Sequence, residues 1–147
     1  MFLKILAVLA FSFSVYSQDA DFEFTSDWKT FYSSDEILIE VKTTQAVIAN
    51  RNQNLIVFKI ENLTNEILKT SYKQHIFRKD FCHGCSSING EYDYELVLEP
   101  NQIINGEDLL KENKALCVFN TFVNLVPGMS NIPVDRIEFV NMNTIKL

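Results

Sequence analysis

From about residue 37 onward the apolar residues recur with period two. Ile37, Ile39 and Val41 alternate with Leu38, Glu40 and Lys42, and Ile56, Phe58 and Ile60 alternate with Val57, Lys59 and Glu61. This spacing puts successive side chains on opposite faces of a sheet, so both segments predict strands. The second run stops at Asn62-Leu63-Thr64-Asn65, residues suited to a turn. Asn62-Leu63-Thr64 also matches a glycosylation acceptor, and we read it as turn chemistry. A third strand is expected over residues 66–77, with Leu68, Thr70, Tyr72 and Ile76 on one face and Lys69, Ser71 and Lys73 on the other. Residues 91–99 (EYDYELVLE) alternate most clearly, Tyr92, Tyr94, Leu96 and Leu98 against Glu91, Asp93, Glu95, Val97 and Glu99, before a Pro100-Asn101 turn.

Residues 115–124 (ALCVFNTFVN) are apolar at both phases and predict a central strand covered on each side. Residues 136–142 (RIEFVNM) supply a last strand after Pro127-Gly128. Only residues 107–114 (EDLLKENK) look helical, and they are too few to build a helical layer. The fold class expected is all-β, an antiparallel two-sheet immunoglobulin-like sandwich of about seven strands, with a small β-barrel as the alternative. Trp28 lies before the first clear strand, so the Cys, Trp, Cys order of antibody domains is absent. Glycine is scarce, with four in the chain, and asparagine is expected to carry much of the turn chemistry.

The start of the chain breaks this pattern. Lys4 precedes an unbroken apolar run over residues 5–15 (ILAVLAFSFSV), followed by Tyr16 and Ser17. The run is short of the roughly 20 residues that cross a bilayer, and its order is that of an export signal. Val15 and Ser17 suit a cut before Gln18, so residues 1–17 are expected to be a signal peptide and residues 18–147 one domain, secreted or periplasmic. No Cys stands at the cut and the chain ends VNMNTIKL, so no membrane anchor is expected. Lys4 is the sole charge in residues 1–17, so the formal charge of −6 becomes −7 once they are removed. With few, scattered cations, that charge sets nucleic acid aside as a partner.

The cysteines are Cys82, Cys85 and Cys117. Export favours a disulfide, and among the three pairings we favour Cys82 or Cys85 with Cys117, because a long loop constrains the unfolded chain more. Cys82-His83-Gly84-Cys85 offers a second reading, as a metal or redox loop. Zinc could take Cys82, Cys85 and Cys117 with His75 or His83, although no second CxxC or HxxxH accompanies them. The position after Cys85 is Ser86, which does not support covalent haem attachment, and the flanks RKDF and SSING predict a loop rather than the helix start of a redox pair.

The acidic row Glu91, Asp93, Glu95 and Glu99 has neighbours about 6.7 Å apart along a strand, overlapping the spacing of glycosidase carboxylates. Alternation alone reads it as a solvated face, and Lys69 and Lys73 could pair with it if the two strands are neighbours. No GxSxG, HExxH or glycine-rich phosphate loop occurs, so neither catalytic residues nor a cofactor are expected.

The segment IVFKIENLTNEILKTSY resembles the opening hairpin of exported immunoglobulin-like domains, and with FSFSVYSQ the chain is similar to small uncharacterised secreted proteins of Bacteroidetes bacteria. The resemblance implies a fold and a compartment and no activity. The function expected is a non-catalytic binding or structural module contacting a protein or glycan of the envelope or exterior. A metal-binding or redox accessory protein using Cys82, His83 and Cys85 is the alternative. Intact mass of the exported protein is expected to match a chain beginning at Gln18, and a mass retaining residues 1–17 would contradict the leader.

Overall fold

A computed structural model of the chain describes residues 16–17, 23–110 and 114–147. The expected leader lies outside the described residues except for its last two. The alternating segments become ten strands among the described residues. They are β1 (Tyr16–Ser17), β2 (Lys29–Ser33), β3 (Ile37–Ile48), β4 (Arg51–Asn62), β5 (Leu68–Arg78), β6 (Phe81–His83), β7 (Asp93–Leu98), β8 (Ile103–Asn105), β9 (Cys117–Phe122) and β10 (Arg136–Lys146). The strands exceed the expected seven because β1, β6 and β8 span two or three residues, too few to show a period. The expected helix reduces to a 3-10 turn, Gly106–Leu109, whose first N–H groups are capped by Asn105, the side chain of which accepts from the amide of Glu107. Residues 111–113 of that expectation lie outside the described residues.

The strands form two antiparallel sheets, and each is organised around one long strand. In the first, β4 has β3 along one side and β8 and β9 end to end along the other, with β2 beyond β3. In the second, β5 has β10 along one side and β6 and β7 along the other, with β1 beyond β10. The all-β, two-sheet expectation therefore holds. Two details of it do not. β4 and β5, read as a hairpin, lie in different sheets, because the turn after Asn62 carries the chain across the core instead of back along β4. β9, read as a central strand, pairs with β4 alone among the described residues. Val118 is buried while Phe119 and Val123 are exposed, so its apolar run does not mean cover on both faces. The doubly covered segment is Leu55, Ile56, Val57 and Phe58 of β4.

The long β3–β4 hairpin closes at Ala49 and Asn50, both at positive φ (50° and 61°), as a two-residue primed turn needs to match the strand twist. Asn50, Asn101 and Asn141 all take positive φ, so asparagine does take turns that glycine usually takes.

The sheets meet through four rings. Phe31 of β2 and Phe58 of β4 come from one sheet, and Tyr72 of β5 and Phe139 of β10 from the other. Phe139 lies 4.8 Å from Phe31, 4.9 Å from Phe58 and 4.2 Å from Tyr72, on which it stacks. Ile37, Ile39, Val41, Ile56, Ile60, Leu68, Leu98 and Ile137 fill the space around them. Where the chain crosses between the sheets, Asn62 is fully buried. Its amide NH2 donates to the carbonyls of Glu66 (2.8 Å), Glu99 (2.9 Å) and Leu98 (3.3 Å), while its oxygen accepts from the N–H and hydroxyl of Thr64. Every polar atom of the side chain is in use, which fits the turn reading of Asn62-Leu63-Thr64 and leaves no room for a glycan.

Asn62→Ala would strand several of those carbonyls away from water and is expected to cost about 3 kcal/mol of stability. Urea denaturation checks this, and an unchanged midpoint would contradict the role of Asn62.

Candidate functional site

β5 decides which functional residues can meet. Leu68, Thr70, Tyr72, Gln74 and Ile76 are buried and alternate with half-buried Lys69, Ser71, Lys73, His75 and Phe77. Antiparallel partners share a face with the residue opposite. Tyr94 pairs with Tyr72, Phe139 with Gln74 and His83 with Ile76, so these extend the inward face. Glu138 pairs with His75, and Cys82 and Arg136 pair with Phe77, so these extend the outward face.

On the inward side a cleft of about 540 Å3 is lined from both sheets. Gln74, Ile76, Arg78, His83, Tyr92 and Tyr94 come from one, and Leu55, Cys117, Val118 and Phe119 from the other. Two buried polar groups from β5 converge on a single acceptor at its edge. The Tyr72 hydroxyl (2.8 Å) and the Gln74 amide (2.7 Å) both donate to the carbonyl of Ala115. Burial holds the Tyr72 phenol well above its usual range, so it acts as a fixed donor. Burial also pushes the Cys117 thiol up to about 11, so at neutral pH it is protonated and a poor nucleophile.

Arg78 spans from the end of β5 to the opposite sheet. Its guanidinium donates to the carbonyls of Asn120 (2.8 Å), Ile132 (2.6 Å) and Phe119, and it lies over the Phe119 ring. Asn131 binds both the N–H and the carbonyl of Phe122 at 2.9 Å, and the Asn120 side chain accepts from the N–H of Val134. Side chains and the loop after β9 thus satisfy several main-chain groups along its edge, which blunts that edge against pairing with another strand.

The cysteines do not form the expected long staple. Cys82 is bonded to Cys85, with Cα atoms 5.7 Å apart, and Cys117 is free. The reason is the face each residue occupies. Cys82 lies on the outward face of β6, whereas Cys117 lines the cleft. The same division breaks the ligand set Cys82, His83, Cys85 and Cys117. His83 lines the cleft with Cys117, and the histidine beside the two sulfurs is His75, with all three donor atoms within 4.8 Å of one another. The link expected from a disulfide between this loop and β9 is made instead by Arg78, one residue beyond Phe77, the cross-strand partner of Cys82.

The acidic row is exposed, and one of its members, Glu95, is held in an ion pair. β5 and β7 are neighbours, and Lys69 pairs with Glu95 at 2.8 Å, as anticipated. Lys73 instead donates to the carbonyl of Ser87 at 2.7 Å. Glu91 shares the cleft lining with His83, but it is exposed to solvent rather than enclosed by apolar side chains. Sequence reading missed Gln74 and Arg78. Both fall in the buried phase of β5, and a polar side chain in that phase is the signal that would have found them. Comparison of the chain with protein-family models, with curated proteins and with solved structures finds no match.

Arg78→Met keeps the aliphatic stem and removes the donors, and is expected to lower stability by about 2–3 kcal/mol, since bonds to charged groups are the stronger kind. Arg78→Lys should recover only part of this, because an ammonium cannot fork across three carbonyls in the same way. Thermal unfolding of the three proteins checks the order, and equal midpoints would contradict the bridging role.

Proposed function

We propose that the protein is an exported, non-catalytic binding module that holds a segment of an extracellular or envelope protein in the cleft between its sheets. The observation that carries this reading is the cleft itself. Its volume suits a few side chains of a partner, and its lining combines apolar surface from Ile76, Val118 and Phe119 with the tyrosines Tyr92 and Tyr94. Tyrosine and phenylalanine give large contact area at little entropy cost, as in protein-binding surfaces. The apolar walls favour a protein segment over a glycan. A protonated Cys117 and an exposed Glu91 point to holding a ligand rather than transforming it.

Export is supported by the charge-then-apolar order of residues 1–17 and by the Cys82–Cys85 bond, which suits an oxidising compartment. Two packed antiparallel sheets are compatible with an immunoglobulin-like domain of the secreted Bacteroidetes kind. The second reading, a metal-binding or redox accessory protein, is favoured by one observation, the approach of His75 to the two sulfurs.

A photo-crosslinking residue at Tyr94, in the cleft, and another at Lys69, on the opposite face of β5, separate the outcomes in cells exporting the protein. Tyr94 is expected to yield a defined protein adduct that Phe119→Ala weakens, and Lys69 is expected to yield none. Adducts equal at both positions, none at Tyr94, or a carbohydrate adduct would overturn the reading.

A further inference from the structure

We propose that reduction of the Cys82–Cys85 bond opens a three-ligand site in which both thiolates and the imidazole of His75 hold a soft, thiophilic cation, Cu(I). The ligands come from two elements whose register fixes their meeting. Cys82 stands opposite Phe77 in the β5–β6 ladder, so its side chain falls on the face that carries His75, while His83 opposite Ile76 falls on the other. Cys85 reaches the same face across the turn, and the three donor atoms already lie within 4.8 Å of one another. Donors around one such ion sit roughly 3.5–4 Å apart, given metal–sulfur and metal–nitrogen bonds of about 2.3 and 2.0 Å. Parting the sulfurs and a small closure of His75 would complete the set.

Two further features suit a site that survives reduction. Gly84, at φ +89°, packs so closely on β5 that a Cβ there would lie 2.2 Å from the carbonyl oxygen of Gln74 and 3.0 Å from the Tyr92 ring. This packing and the β5–β6 ladder hold the loop independently of the disulfide. Behind His75, a carboxylate oxygen of Glu138 lies 3.9 Å from Nδ1, and Glu138 is itself paired with Arg136 at 3.1 Å. At 3.9 Å the carboxylate is beyond hydrogen-bond reach of the ring, so it gives His75 a nearby negative charge rather than a fixed tautomer. Two sulfurs and one nitrogen select a soft d10 ion, and three donors suit Cu(I) better than the four-coordinate preference of Zn2+.

The reductant is a dithiol. One of its thiolates attacks the exposed Cys85 sulfur, and its second thiol then displaces Cys85 from the mixed disulfide. The dithiol gives up two electrons and becomes a disulfide, and its two protons end on Cys82 and Cys85. Cu(I) then displaces both protons as it binds. Reoxidation of the pair would expel the ion, so the loop would be a redox-gated metal holder.

The test titrates the full-length chain, with a dithiol removed before use, against Cu(I) without oxygen in competition with a chromophoric chelator. Reduced protein is expected to take up one Cu(I) and oxidised protein none. His75→Ala is expected to weaken binding at least about tenfold, whereas His83→Ala and Cys117→Ser should stay within about twofold of the unaltered chain, and Cys82→Ser should abolish stoichiometric uptake. Circular dichroism confirms the fold of each variant, and His75→Gln replaces His75→Ala if the latter does not fold. Equal binding by oxidised and reduced protein, no uptake by reduced protein, or a loss in His83→Ala as large as in the His75 variant would each overturn the proposal.

Discussion

The stack of Tyr72 on Phe139, 4.2 Å between ring centroids, fixes which face of β5 looks inward, and the placement of every candidate functional side chain depends on that choice. Phe139 also touches Phe31 and Phe58 of the opposite sheet, so one ring ties the phase of β5 to the register of β10 and to the packing between sheets. A slip of one residue would turn the whole strand over. Lys69, Lys73 and His75 would then face the core, and Tyr72, Gln74 and Ile76 would face water. The penalty for burying those charges is large enough to leave a single register.

Two chemistries that one sequence segment seemed to combine are separated by this phase. Cys82, His83 and Cys85 are adjacent in the chain, yet His83 belongs to the cleft and the cysteines to the opposite surface with His75. Two polar side chains of the cleft wall, Gln74 and Arg78, and Tyr72 beside them are committed to main-chain carbonyls across the cleft. Tyr72 and Gln74 hold Ala115, and Arg78 holds Phe119, Asn120 and Ile132. These bonds do what a disulfide to Cys117 would have done, joining β5 to β9, but they use main-chain acceptors that would otherwise need water.

The strands were legible because half-buried sheets print a period of two on the chain, and the inward phase of residues 68–76 and 92–98 survives intact in β5 and β7. The Lys69–Glu95 pair was legible for the same reason, since it needed only that two alternating segments be neighbours. What was not legible is what depends on which strand lies beside which. Composition cannot tell a crossing from a hairpin, and the turn that moves the chain from one sheet to the other rests on the buried amide of Asn62, which reads like any turn asparagine. An apolar run such as residues 115–124 reads alike for a central strand and for an edge strand flanking a cleft. The approach of His75 to Cys82 depends on the register of β5 and β6, where β6 has three residues and no period of its own.

Cross-strand nuclear Overhauser contacts around β5 test its register most directly. The structure predicts main-chain contacts that pair Tyr72 with Tyr94, Gln74 with Phe139 and Phe77 with Cys82, together with contacts between the Phe139 and Phe58 rings. Pairings displaced by one residue, bringing His75 rather than Gln74 opposite Phe139, would contradict it and would dissolve both the cleft and the outward cysteine–histidine group.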